Sequence, residues 1–311
     1  MKIFFSLVIF LITTNTNVFS QKQNWVEYME FSINSLFKEL FLSDGTKFIQ
    51  SDETKLELSF RISEELKELL LNKESFNYPY DSIKRMGIIK SQDGRVKLYT
   101  WSIKLENGLH KYYGFIQRKD GKELRVYQLI DDSENMPPEE IAFIELDPEH
   151  WYGVNYYQII DFKYRGKKMY ALLGARNNNL VSKTKVIEIL SFLGKRVKLG
   201  KRVFTYKKED DINRIKRQQY RILEEYSHFM AMTMTYDQRY KMIVYDHLTP
   251  EVTKLKDIRR FYGPDGSYDA FSFNGYKWLY IPDKWATNTR NKKIEVSDSE
   301  KKDAQKSKIL R

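Results

Sequence analysis

The chain has no cysteine. Disulfides, thiol nucleophiles, zinc–thiolate sites and iron–sulfur clusters are therefore excluded, and the fold must rest on its noncovalent core. Histidine is scarce: His110, His150, His228 and His247 are the full set. Short catalytic signatures are absent as well. There is no Gly-x-Ser-x-Gly and no His-Glu-x-x-His. The stretch from Gly194 to Arg202 has glycine and lysine, but neither the spacing nor the Ser/Thr of a phosphate-binding loop.

Long apolar runs are missing too. The stretch from Ile3 to Ile12 is only about half of the roughly 20 residues that a membrane-spanning helix needs. Lys2 precedes it, polar residues Thr13 to Asn17 follow, and Val18-Phe19-Ser20 suits a signal peptidase. Residues 1–20 are expected to be a signal peptide cleaved before Gln21, giving an exported protein of the periplasm, the outer membrane surface or the medium. With no cysteine at that point, a lipid anchor there is excluded. No later stretch is apolar enough to span a membrane.

Hydrophobic residues make up 41% of the chain and aromatics 15%, which suits a folded globule. Charge is unbalanced, at +11 overall. From Lys195 to Arg221, eleven basic residues face three acidic ones, and the tail from Asn288 to Arg311 carries eight against four. The tail, 288–311, reads as disordered. The basic stretch reads as solvated surface or as a site for polyanions, with Arg214, Lys216, Arg217 and Arg221 as candidate contacts. Export removes the protein from the genome, so anionic lipid or glycan is expected over DNA.

Trp25, Met29, Ile33, Leu36 and Leu40 fall at helical spacing, and Asp44-Gly45 ends that pattern. A second helix is predicted from Ser63, with Leu66, Leu69 and Leu70 on its apolar face. Strand patterns follow from Val96 to Leu105, Tyr112 to Gln117 and Leu124 to Ile130, punctuated by Asp93-Gly94, Asn107-Gly108 and Asp120-Gly121. Residues 131–149 break the pattern and suggest a boundary between an N-terminal part, 21–135, and a C-terminal part, 149–287; a short strand from Ile141 to Leu146 falls within it. Strand signals resume from Val154 to Ile160, Lys168 to Leu173, Lys241 to Tyr245, Ser267 to Phe273 and Tyr276 to Ile281. Arg165-Gly166 and Asn274-Gly275 are predicted hairpin turns. Helix and strand patterns compete over 209–226, with strand favoured after Tyr220. The expected fold is α+β: two helices and an antiparallel meander, then a mainly antiparallel β unit.

Three patterns carry chemistry. On a strand, His228, Met230, Met232 and Met234 share one face, a soft donor set for Cu(I) or a core stripe. Asp265 and Asp269 are hard oxygen donors for calcium, or belong to a turn at Pro264-Asp265-Gly266. Asp246 and His247 are strand neighbours that face opposite ways, so a catalytic role for either needs a distant partner. Trp101, Trp151 and Trp285 are core residues or sugar-stacking platforms.

The stretches Tyr156-Tyr157, Tyr170 to Gly174, Ile187 to Phe192, Glu225-Tyr226-Ser227, Ile243 to Leu248 and Tyr262 to Phe271 resemble an uncharacterised family of secreted proteins from Bacteroidota. Ala175-Arg176-Asn177 stands where that family often has Trp-Asp-Gly. The resemblance implies a Gram-negative envelope or secreted location and brings no activity or cofactor. The expected function is non-enzymatic binding at the envelope; the alternative is a hydrolase of envelope or extracellular polymer. A cleft joining histidine to carboxylates favours the hydrolase, and a basic or aromatic face favours binding.

Overall fold

The computed structural model describes residues 25–43, 50–206 and 218–282. Helix α1 covers residues 25–40 and buries Val26, Met29, Ile33, Leu36, Phe37 and Leu40 at the predicted period. Helix α2 (Asp52–Leu71) begins well before Ser63. The Ser51 side chain accepts a hydrogen bond from the N–H of Thr54, and Asp52 and Glu53 complement the helix dipole. Its first turns are hard to read in sequence because Lys55 and Ser59 share the buried face with Leu58 and Ile62.

Three mainly antiparallel sheets follow, so the protein is α+β, with helices first. The first sheet is a meander of β1 (Gly87–Lys90), β2 (Val96–Lys104), β3 (His110–Asp120) and β4 (Glu123–Ile130). Its Asx-Gly turns lie where sequence places them; Gly94, Gly108 and Gly121 all have positive φ, which suits glycine in a tight turn. The second sheet contains β5 (Asn155–Tyr164), β6 (Lys167–Asn177), β7 (Ser182–Leu193) and β8 (Arg196–Leu199). The chain then crosses to the third sheet as β9 (Phe204–Thr205) and returns as β10 (Ile222–Ser227) beside β7. The third sheet has the order β11 (Met234–Asp237), β12 (Met242–Pro250), β13 (Tyr262–Phe273), β14 (Trp278–Ile281), β9, with only the β14–β9 pair parallel.

The layers stack as helices, first sheet, second sheet, third sheet. Strand alternation shows how. In β2, Tyr99, Trp101 and Ile103 pack on the helices, while Val96 and Leu98 pack toward the second sheet. In β6, Tyr170 and Leu172 face the first sheet, and Met169, Ala171 and Leu173 face the third. Strands buried on both faces lose the apolar–polar alternation that marks a half-exposed strand. This is one reason β7, with Val186, Ile187, Ile189 and Leu190 all buried, is not legible as an alternating strand.

The segment 131–149 is packed rather than open. Leu146 exchanges backbone hydrogen bonds with Leu199, Asp131 bridges to Trp151, and Met136, Ile141 and Leu146 join the core between the first two sheets. The predicted strand there is instead a 3₁₀ turn, Ile141–Phe143, followed by the single bridge at Leu146. Among the described residues no helix is long and apolar enough to cross a membrane. The predicted signal peptide 1–20, Trp285 and the basic tail 288–311 lie outside the described residues.

Candidate functional site

Basic residues gather where three connections of the second and third sheets meet. The β5–β6 hairpin turns on Arg165 and Gly166, with φ of 50° and 75°, the positive pair that a two-residue turn requires. Arg165 Nε donates to Tyr276 Oη at 2.9 Å, and its guanidinium lies 5.4 Å from the Tyr164 ring centroid. Lys201 and Arg202 come from the β8–β9 connection, and Arg202 lies 4.8 Å from the Tyr220 ring centroid. Lys277 comes from the β13–β14 turn. Together with Lys167 they line a recess of about 440 Å³, and among the described residues no carboxylate lines it. Stacking on tyrosine holds the two guanidiniums without neutralising them.

Lys201 and Arg202 belong to the basic stretch singled out in sequence, but Arg165, Lys167 and Lys277 lie far from it. The signal that could have found them is the pair of predicted hairpin turns, since each has basic residues in or beside it. Arg214, Lys216 and Arg217 lie outside the described residues. Arg221 is a correction. It is fully buried, and its Nε donates to Glu188 Oε1 at 2.6 Å. Its other nitrogens donate to the carbonyls of Ile144 (3.0 Å), Leu199 (3.2 Å) and Ile141. It fixes the 131–149 segment to the second sheet and offers nothing to a polyanion. Its burial follows from position: it immediately precedes β10, whose pairing with β7 places it beside Glu188.

The methionine stripe is a second correction. The strand expected through residues 228–234 breaks after Ser227, and the chain turns before β11 resumes at Met234. Met232 and Met234 pack into the core between the second and third sheets, whereas Met230 is 45% exposed. His228, Met230, Met232 and Met234 therefore do not form one strand face. Trp101 and Trp151 are core residues, buried at the helix and second-sheet sides of the first sheet.

A cleft of about 490 Å³ opens at an irregularity in the β12–β13 ladder. Asp246 pairs with Tyr268, but Leu248 pairs with Pro264, leaving His247 opposite Asp265, Gly266 and Ser267. Pro264-Asp265-Gly266 is thus a bulge inside β13, not a loop between strands. Asp265 Oδ1 accepts both the Ser267 N–H (3.0 Å) and its hydroxyl (2.7 Å), which stabilises the bulge. Burial alone would raise the Asp265 pKa, but these bonds and nearby His247 prevail and lower it. Bulges re-aim side chains next to sites. Here His247 Nδ1 lies 2.9 Å from Asp269 Oδ2, supplying the distant partner that Asp246 could not be.

Tyr245 and Asp269 are directly paired across the two strands, and Glu224 of β10 completes the inner wall with Tyr206, Tyr262 and Tyr280. Burial drives the Tyr245 hydroxyl pKa well above its usual value, and Glu224, Tyr206 and Asp269 push the same way, so it is held protonated. Among the described residues, neither Tyr245 Oη nor Asp269 Oδ1 has a hydrogen-bond partner. The cleft therefore offers a donor, an acceptor and an oriented imidazole. Among the described residues, no group of three or more His, Asp or Glu side chains is placed to hold a metal ion; Asp265 and Asp269 are engaged by Ser267 and His247 instead. No protein-family model, curated protein or solved structure matches this chain.

Proposed function

We propose that the protein is an exported binding protein that holds anionic groups, phosphate, sulfate or carboxylate, of an envelope lipid or glycan on the recess framed by Arg165, Lys167, Lys201, Arg202 and Lys277. The observation that carries this reading is the convergence of five cations from three separate connections on a recess that no carboxylate lines among the described residues. Like charges so gathered repel one another at some cost to stability, and an anionic partner relieves that repulsion. Arginine contributes a planar fork that suits phosphate and carboxylate, and lysine a point charge. The fields of exposed charges decay over about 8 Å at physiological ionic strength, so binding weakens as salt rises.

The test is sedimentation with vesicles of phosphatidylglycerol or of phosphatidylcholine alone, and retention on dextran sulfate, across a salt series. The triple variant Lys167→Ser, Lys201→Ser, Lys277→Ser should lose retention on the anionic supports. Comparing the vesicle and dextran arms distinguishes lipid from glycan. Mass spectrometry of the protein from its native host should find Gln21 as the N-terminal residue; intact Met1 in the cytoplasm would end the export part of the proposal. One observation favours a second reading, hydrolysis of an envelope or extracellular polymer: the His247–Asp269 couple orients an imidazole inside a cleft, as a general base requires. Polymer turnover that is abolished by His247→Ala would establish it.

A further inference from the structure

The cleft at the β12–β13 bulge has a chemistry that the basic recess does not share. Two polar atoms in it lack partners among the described residues, and the residues that carry them are almost wholly buried: Tyr245 is 1% exposed and Asp269 is 6% exposed. Buried polar groups in folded proteins are nearly always hydrogen-bonded, and because Tyr245 and Asp269 both line the cleft, a molecule bound there can supply the missing bonds. The pair is complementary. Tyr245 Oη is held protonated and can donate, while Asp269 Oδ1 can only accept once its other oxygen holds His247. A hydroxyl group both accepts and donates, and so meets both needs.

The rest of the lining narrows the class. Tyr206, Tyr262 and Tyr280 contribute aromatic carbon to the lining, which suits the apolar face of a pyranose. Glu224, Glu251 and Asp269 are opposed by Lys256 and Arg259, so the cleft has no strong field of either sign for a highly charged ligand. Its volume of about 490 Å³ falls in the range of small-ligand sites. We infer that this cleft binds a neutral saccharide, whose hydroxyl groups accept from Tyr245 Oη and donate to Asp269 Oδ1. His247, held by Asp269 Oδ2, positions that carboxylate so that its second oxygen faces the sugar.

The inference does not depend on the basic recess, which lies toward the other end of β13, at its turn into β14. The two are separable by experiment, because binding of a neutral sugar is insensitive to salt. Saturation-transfer difference NMR on the full chain, with glucose, mannose, galactose, N-acetylglucosamine and their short β-1,4 oligomers at millimolar concentration, should show transfer to at least one sugar. Tyr245→Phe removes one oxygen and keeps the ring, and Asp269→Asn keeps the shape while altering the acceptor and its hold on His247. Each should weaken binding by about tenfold, the effect of one hydrogen bond. Tyr245→Phe should at the same time leave the melting temperature of the sugar-free protein unchanged or higher, because the hydroxyl it removes has no partner among the described residues. Transfer to none of the sugars would overturn the inference. So would transfer that both variants leave intact, or a Tyr245→Phe protein that melts lower yet binds as before, since the hydroxyl would then be serving an ordered water.

Discussion

Replacing Arg221 by methionine should destabilise the protein more than any other single change in its basic stretch. The guanidinium and the Glu188 carboxylate are both fully buried, with Nε and Oε1 2.6 Å apart. Glu188 also accepts from Tyr156 Oη at 2.6 Å, and that oxygen in turn accepts from Trp151 Nε1 at 3.1 Å. Removing Arg221 leaves a buried carboxylate with one hydroxyl donor and orphans the carbonyls it held at Ile141, Ile144 and Leu199. Breaking a buried pair from one side costs about 3–5 kcal/mol. A folded chain has only about 5–15 kcal/mol in hand. For a protein of this size the melting temperature should fall by roughly 10 °C. Arg221→Lys should recover little, because one ammonium cannot reach acceptors arrayed around a planar fork. The double variant Arg221→Met, Glu188→Leu should recover more than half the loss, because no unpaired charge remains. Urea titrations of the three variants beside wild type give the comparison. A loss below about 1 kcal/mol for Arg221→Met would match an exposed cation. It would refute the reasoning that this side chain fixes the 131–149 segment.

Two further changes probe the packing and the turns. Met232→Ala should cost about 2–5 kcal/mol, the range for a large side chain removed from a core, and wild type should not compete with a Cu(I) chelator; effective competition would restore the copper reading. Asp93 sits in the β1–β2 turn and holds Lys168 Nζ at 2.6 Å and the Tyr170 hydroxyl at 3.0 Å. Although burial pushes its pKa up, the bonds from Lys168, Ser91, Arg95 and Tyr170 outweigh this and bring it down to about 2. A carboxylate bound more tightly in the folded state stabilises the fold above its unfolded pKa near 4, and that stabilisation is lost as pH falls toward 2. Asp93→Asn should therefore cost about 1–2 kcal/mol at pH 7 and almost nothing at pH 2, as read from denaturant midpoints; an equal cost at both would point to geometry instead of charge.

Much of the fold is legible in local sequence, and the exceptions have physical causes. The meander is written in its Asx-Gly turns and alternating strands, because those turns select positive φ from the dipeptide alone. The strand from Ile222 is visible for the same reason, since Ile222, Glu224 and Tyr226 alternate inward. Strand β7 is not, because both its faces are covered, and neither is the packing of 131–149, which depends on Arg221 some 80 residues away. Arg221 itself misleads because a run of basic residues carries no mark of which one turns inward. The candidate sites divide in the same way. Asp246-His247 and Asp265 to Asp269 are both conspicuous in sequence, yet only the bulged ladder shows that His247 and Asp269 form the couple. The basic recess joins residues 165–167, 201–202 and 277, which no local window contains.

The central claim is that cations converging on one recess hold an anionic partner. Its most direct test is vesicle sedimentation at 20 mM and 300 mM salt, with phosphatidylglycerol vesicles, comparing wild type with the Lys167→Ser, Lys201→Ser, Lys277→Ser variant and with an Arg214→Ser, Lys216→Ser, Arg217→Ser variant. The account predicts that wild type is retained at low salt and released at high salt, and that loss of the recess lysines abolishes retention. Equal retention of wild type and the recess variant would contradict it, as would failure of wild type at low salt both to sediment with phosphatidylglycerol and to be retained on dextran sulfate.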